Sequence, residues 1–283
     1  MLNINWYNGH MKKTKESIQK NLKMEDVVFE LIDARIPYSS QNPVIESIVG
    51  DKPRVIILNK SDLADSRSNK IWQEYFLSND IPSVLVDSIT GKGIENLLTM
   101  SLDATKEKRE GFEKRGVISR PTKAMIIGIP NVGKSTLKNT LSGRKGTKTG
   151  NRPGITKTNQ WIKTRGVLEL LDTPGILWPK FEDQSVGLNL AFTGAIKDEI
   201  LDTETLALRL LERLIISFPH LIEKRYGIEI NNDNGLKVME KIAIKRGCII
   251  RGGEVDYTKV SGIILDEFRK GIIGSITLEL PKE

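Results

Sequence analysis

Short apolar runs alternate with amphipathic stretches through residue 171. Val27–Ile32, Arg54–Leu58, Ser83–Val86, Lys123–Ile129 and Val167–Leu171 read as strands, and the segments between them carry helical periodicity. Strands alternating with helices imply a mostly parallel sheet covered by helices on both faces, with ligands outside the carboxyl ends of the strands. From about Trp178 onward the apolar positions recur with helical spacing alone. Helices are predicted over Asp202–Ile216, Gly235–Lys245 and Tyr257–Lys270, the second following the turn sequence Asn231-Asn-Asp-Asn-Gly235. The pattern divides the chain into an α/β domain over 1–178 and a small all-α domain over 179–283.

With 283 residues, 39% of them hydrophobic, the chain has enough apolar material for two cores. No run approaches the ~18 uninterrupted apolar residues of a membrane helix, so an integral membrane protein is excluded. The N-terminus lacks the basic segment and apolar stretch of a secretory signal. A single cysteine, Cys248, excludes an intrachain disulfide and a cysteine-built zinc site. A cytoplasmic protein is expected. The net charge of +7 is unevenly distributed: residues 106–165 hold 16 Lys/Arg against 3 Glu, and the remainder is net negative. Such a segment suits a polyanionic partner, or else a solvated helix face together with side chains that hold a phosphate ligand.

Candidate chemistry sits at the strand ends. Gly128-Ile-Pro-Asn131-Val132-Gly133-Lys134-Ser135-Thr136 is a complete G-x-x-x-x-G-K-[ST] loop between a strand and a helical pattern. Its backbone N–H groups would curl around a phosphate, Lys134 would neutralise the outer phosphates, and the Ser135 hydroxyl would ligate Mg²⁺. About forty residues on, Asp172-Thr-Pro-Gly175 places a carboxylate at another strand end to hold Mg²⁺ through water, and Gly175 would offer its N–H to a γ-phosphate. Between these motifs a Gly-rich basic loop carries Thr156, the expected switch threonine and Mg²⁺ ligand, with Thr158 as runner-up. Base selection is assigned to Asn59-Lys60-Ser61-Asp62. The Asp62 carboxylate can accept from two guanine N–H groups that adenine does not present, Asn59 would support the loop or the purine edge, and the Lys60 stem would cover the base. Ser88-Ile89 resembles the Ser-Ala-Lys segment that sets a backbone N–H on guanine O6, with Ile in place of Ala.

In Ras-like GTPases the phosphate loop, switch threonine and D-x-x-G precede N-K-x-D and the Ser-Ala segment. Here the last two come first, so the same sheet requires a circular permutation. The chain resembles the YlqF/RbgA family of bacterial ribosome-biogenesis GTPase A proteins over nearly its whole length. Beyond the shared GTPase motifs the resemblance rests on Trp6-Tyr-Asn-Gly-His-Met-Lys-Lys13, Leu31-Ile-Asp-Ala-Arg-Ile-Pro37 and Arg251-Gly-Gly-Glu-Val-Asp-Tyr257. Tyr7-Asn8 departs from the Phe-Pro often found before Gly-His in that family. The resemblance implies a GTPase that binds the large ribosomal subunit, promotes its late assembly, and uses its C-terminal helical domain for ribosomal RNA contact. The free chain is expected to be a monomer without membrane association.

Ile176 follows D-x-x-G, where a Gln often orients the attacking water, and it has no group to do so. The resemblance implicates His10 in that task, which makes His10, Lys134 and Thr156 the catalytic candidates. By similarity to potassium-activated relatives carrying the hydrophobic substitution, Asn131 would help bind K⁺. The substitution also supports an alternative, a GTP-gated RNA- or ribosome-binding module with incidental hydrolysis. The aromatics Trp161, Trp178, Phe181 and Phe192 suit either stacking on bases or core packing.

Overall fold

The computed structural model describes residues 11–117, 120–143, 160–164, 168–173, 175, 183–196, 198 and 202–281. In chain order the first part contains α1 (Met11–Leu22), β1 (Val27–Asp33), α2 (Pro37–Ser40), α3 (Pro43–Val49), β2 (Arg54–Asn59), α4 (Ser66–Ser78), β3 (Ser83–Val86), α5 (Ile94–Ala104), α6 (Lys106–Glu113), β4 (Thr122–Gly128), α7 (Lys134–Leu141), β5 (Gln160–Lys163) and β6 (Leu168–Asp172). The strands form one sheet in the order β3-β2-β1-β4-β6-β5. All neighbours run parallel except β5 and β6. The antiparallel edge strand β5 was not anticipated from the apolar pattern.

All seven residues of β1 are buried, as a strand covered on both faces requires. Ile18 and Leu22 of α1 and Ile45, Ile48 and Val49 of α3 close one core cluster with Val28, Met125, Ile127 and Leu171. Trp72 and Phe76 of α4 close another with Ile32, Ile56 and Leu58. The two central strands, β1 and β4, come from opposite halves of this part of the chain, and their register brings Leu31 beside Gly128. That pairing is the signature of the permuted Ras-like sheet: the strand that leads into the phosphate loop lies next to the chain's first strand.

Residues 183–276 form a separate compact unit. It contains α8 (Gln184–Phe192), α9 (Thr203–Ser217), α10 (Pro219–Tyr226), α11 (Gly235–Arg246) and α12 (Tyr257–Arg269). Helix α9 packs against each of the other four. Leu206, Leu210, Leu211 and Leu214 are buried with Val238, Ile242, Val260, Ile264 and Phe268. Side-chain caps start the helices: Asp202 accepts from the Glu204 and Thr205 amides, Asn234 from Lys237 and Asp256 from Lys259. The Arg269 guanidinium ties α12 to the end of α8 through the Ala191 and Phe192 carbonyls and pairs with Asp198.

The expected division at 178/179 falls outside the described residues, and its C-terminal limit needs correction. Residues 277–281 belong with the sheet and not with the helices. The Leu278 amide donates to the Arg35 carbonyl at 2.7 Å, the Trp72 indole donates to the Glu279 carbonyl at 3.0 Å, and the Asp65 amide donates to the Thr277 hydroxyl at 3.1 Å. The Glu279 carboxylate accepts from the Ser39 amide and hydroxyl. This strap forms because the loop after β1 leaves backbone groups buried that need partners. Glu279→Ala is expected to cost about 2 kcal/mol, since it takes a charged acceptor from two donors on fully buried Ser39. An unchanged urea midpoint would contradict that role for the strap.

At the opposite end of β1, Glu25 is fully buried and neither carboxyl oxygen has a hydrogen-bond partner among the described residues. Burial pushes its pKa up to about 7, with Asp26 and Glu169 adding to the rise and Lys123 and Lys52 opposing it. The folded value lies above the unfolded one, so this group's contribution is fully present below the unfolded pKa and is lost as pH rises through 7. Glu25→Gln should therefore leave stability nearly unchanged at pH 5 and raise it by about 2 kcal/mol at pH 8.5. Thermal denaturation of both proteins at the two pH values tests this, and equal differences would show that the carboxyl stays ionised.

Candidate nucleotide-binding site

The sequence motifs converge where β4, β2 and β3 end. Gly128 closes β4 with φ of 152°, and a Cβ there would lie 2.5 Å from the Leu31 carbonyl oxygen. The loop then turns through Asn131 at φ 56° into Gly133 at φ 103°, after which α7 begins at Lys134. Glycine is required at 133, because a Cβ would lie 2.3 Å from the Asn59 amide nitrogen. That contact is the centre of the site. The Asn59 amide donates to the Val132 carbonyl at 2.7 Å, and its oxygen accepts from the Ser88 hydroxyl at 2.6 Å and the Ser88 amide at 3.2 Å. One buried side chain thus joins the phosphate loop to both base-reading segments. Thr140 of α7 adds a second tie by donating to the Ser88 carbonyl at 2.6 Å.

Lys60, at φ 57°, leads its ammonium to the Asp33 carboxylate and the Asn131 carbonyl, each at 2.9 Å. Asp33 also binds Arg35 through both oxygens, at 2.9 and 2.7 Å. Burial alone would raise the Asp33 carboxyl, but the charges and hydrogen bonds of Arg35 and Lys60 outweigh it and hold the group well below the usual carboxylate range. Burial draws Lys60 below the usual ammonium range against the pull of Asp33. Asp62 is exposed, and desolvation followed by repulsion from Asp87 raises its carboxyl. Lys134 is buried, its ammonium donating to the Gly128 and Ile129 carbonyls at 3.0 and 2.6 Å. Gly175 lies against the same loop: a Cβ on it would be 2.9 Å from Pro130 and 3.0 Å from Lys134 Nζ. The Thr173 hydroxyl fixes this approach by donating to the Ile126 carbonyl at 2.7 Å.

A family model described as "50S ribosome-binding GTPase" matches residues 123–219. The "Ribosome biogenesis GTPase A" of Bacillus licheniformis is 45% identical over 280 residues, 99% of either chain. The chain belongs to the ribosome biogenesis GTPase A family. The family's member from Thermotoga maritima is 30% identical over 99% of this chain and 95% of its own. The GDP-bound structure of T. maritima YlqF shares the fold with a TM-score of 0.67 at 24% identity, covering 94% of this chain and all of that one. Its GNP-bound form gives 0.65 over 96% and 99%.

Within this family fold, Asn59, Lys60, Asn131, Val132, Gly133, Lys134, Ser88 and Gly175 form one connected network. Ser135 and Thr136 occupy the first turn of α7. Asp172 ends β6 in register with Ile126, next to the strand that carries the phosphate loop. His10, Thr156, Thr158, Ile176, Trp178 and Phe181 lie outside the described residues. The Lys60 ammonium ties Asp33 to the phosphate loop, a role additional to the one expected of its stem. At Ser88-Ile89 both amides engage the protein, Ser88 with Asn59 and Ile89 with the Asp87 carboxylate at 2.8 Å, so an O6 contact requires a shared donor. Phe192 is buried in the helical unit and serves as core. Asp33, Arg35, Asp87 and Thr140 were not singled out as site residues. The available signal was Asp33 itself, a carboxylate ending a central strand that is apolar but for Glu30.

Proposed function

We propose that this chain is a Mg²⁺-dependent GTPase that binds the large ribosomal subunit and promotes its late assembly, hydrolysing GTP to GDP and phosphate. The observation that carries the enzymatic part is the Asn59 bridge, which joins a guanine-reading loop to a phosphate loop across the permuted sheet. The ribosomal part rests on the full-length similarity to proteins named for ribosome biogenesis. Asp62 selects guanine, and the loop amides with Lys134 hold the outer phosphates. The Ser135 hydroxyl, the Asp172 carboxylate through water and the Thr156 hydroxyl are hard oxygen donors that suit Mg²⁺, which when bound neutralises phosphate charge. Asn131 adds an oxygen donor for K⁺. Because Ile176 offers water no hydrogen bond, His10 orients the attacking water. The helical unit contacts ribosomal RNA, and the protein is a cytoplasmic monomer when free. No helix among the described residues is long and apolar enough to cross a membrane.

Steady-state GTP hydrolysis in K⁺ buffer, titrated with large subunits and controlled with small subunits and bulk RNA, tests this reading. Saturable stimulation by the large subunit alone is expected, reduced in Na⁺ and in His10→Ala without loss of GTP affinity. Equal rates throughout with intact GTP binding would favour the GTP-gated binding module that the hydrophobic Ile176 also suits.

A further inference from the structure

The sheet end opposite the nucleotide motifs holds a small, partly open cavity of about 110 Å³ beside α6, whose lining includes Asp26, Lys108, Arg109, Phe112, Glu113, Arg120 and Thr122. Asp26 cannot serve as counter-charge for all of these cations. Its Oδ1 accepts from Lys108 at 2.5 Å and Arg120 at 3.3 Å, and its Oδ2 accepts from the Lys123 amide at 2.8 Å. Glu113 is exposed and forms no ion pair among the described residues. Among the described residues Arg109 has one long bond, to the Leu102 carbonyl at 3.4 Å, and its buried Nε has no hydrogen-bond partner. The Thr122 hydroxyl, on a residue only 3% exposed, has none either. Phe112 supplies an apolar wall, its ring stacked beneath the Arg120 guanidinium at 4.4 Å.

A buried guanidinium N–H and a buried hydroxyl without acceptors each carry a desolvation cost that an incoming anion would remove. Two further cations stand at the rim, and guanidinium geometry matches phosphate oxygens. The volume accommodates a phosphate group. We propose that this cavity is a phosphate-binding site, separate from the nucleotide site, in which Arg109 and Thr122 contact the phosphate oxygens and Lys108 and Arg120 neutralise its charge. The phosphate is either free or part of an RNA backbone. Lys106, Lys114 and Arg115, exposed on α6 and just after it, are compatible with either source.

The test compares the full chain with Thr122→Val and Arg109→Gln, each saturated with Mg²⁺ and GDP so that the phosphate loop is occupied. Thermal denaturation is followed against inorganic phosphate with chloride at matched ionic strength, and binding of a single-stranded RNA oligonucleotide is measured at low salt. Without phosphate, Thr122→Val is expected to be as stable as the parent or more so, because its hydroxyl has no partner among the described residues; clear destabilisation would overturn the proposal. A saturable phosphate response that weakens at least about tenfold in both variants supports the site with free phosphate as its ligand. No phosphate response, but RNA affinity lowered by Thr122→Val, supports it with a phosphodiester as its ligand. Parent and variants responding alike to both probes would overturn it.

Discussion

Asp62→Ala is expected to lower GTP affinity by about a thousandfold while leaving the melting temperature within a degree or two of the parent. A carboxylate accepting two base N–H groups makes two charge-assisted hydrogen bonds, each contributing about 1.5–3 kcal/mol, and the variant loses both. Asp62 is exposed, whereas the connections that hold the loop pass through Asn59, Lys60 and Ser88. The effect should also be specific to the base. ATP, which has no matching donors, should bind parent and variant with the same weak affinity, so that the GTP/ATP ratio collapses. Calorimetric titration of both nucleotides against both proteins decides the matter, and an unchanged ratio would remove Asp62 from base selection.

Asp33→Ala should have the largest effect on stability, about 3–5 kcal/mol, because it leaves Arg35 at 1% exposure and the Lys60 ammonium without their shared counter-charge. The loss should extend to nucleotide binding. Lys60 freed from Asp33 holds the Asn131 carbonyl less firmly, which weakens one of the ties between the phosphate loop and the base-reading side. Asp33→Asn, which keeps acceptors but not charge, should fall between the parent and alanine. Urea denaturation with a parallel GTP titration measures both effects, and a loss below about 1 kcal/mol would mean that the cluster is not a closed charge network.

Legibility of the fold from sequence followed burial. The strands β1, β2 and β4 are mainly apolar because they lie inside a covered sheet, the edge strand β3 is short and half-buried, and the sequence pattern places each of the four to within a residue or so of its observed limits. Strand β5 is four residues, Gln160 to Lys163, with polar ends; it exists because β6 offers an edge to pair with, and no local pattern reports that. The phosphate loop was legible because its glycines answer to local geometry. The tie from the Lys60 ammonium to Asp33 was not, since that carboxylate lies 27 residues away. The strap at 277–279 was equally hidden. Its partners Arg35, Ser39, Asp65 and Trp72 belong to the other end of the chain, and a short segment bonded through its backbone has no periodicity of its own.

That strap gives the helical unit the topology of an insertion, with the chain leaving the sheet before α8 and returning after α12. The bond from Ser39 to Glu279 spans 240 residues of sequence. Contacts that distant form late in folding, because their loop-closure entropy must be met first. During synthesis, a nascent chain that has not reached residue 277 already carries the phosphate loop and both base-reading segments. It still lacks the acceptors for Trp72 and Ser39. Completion of the nucleotide-binding half is therefore coupled in time to translation of the helical half, and a chain truncated within α8–α12 leaves the sheet short of part of its own stabilisation.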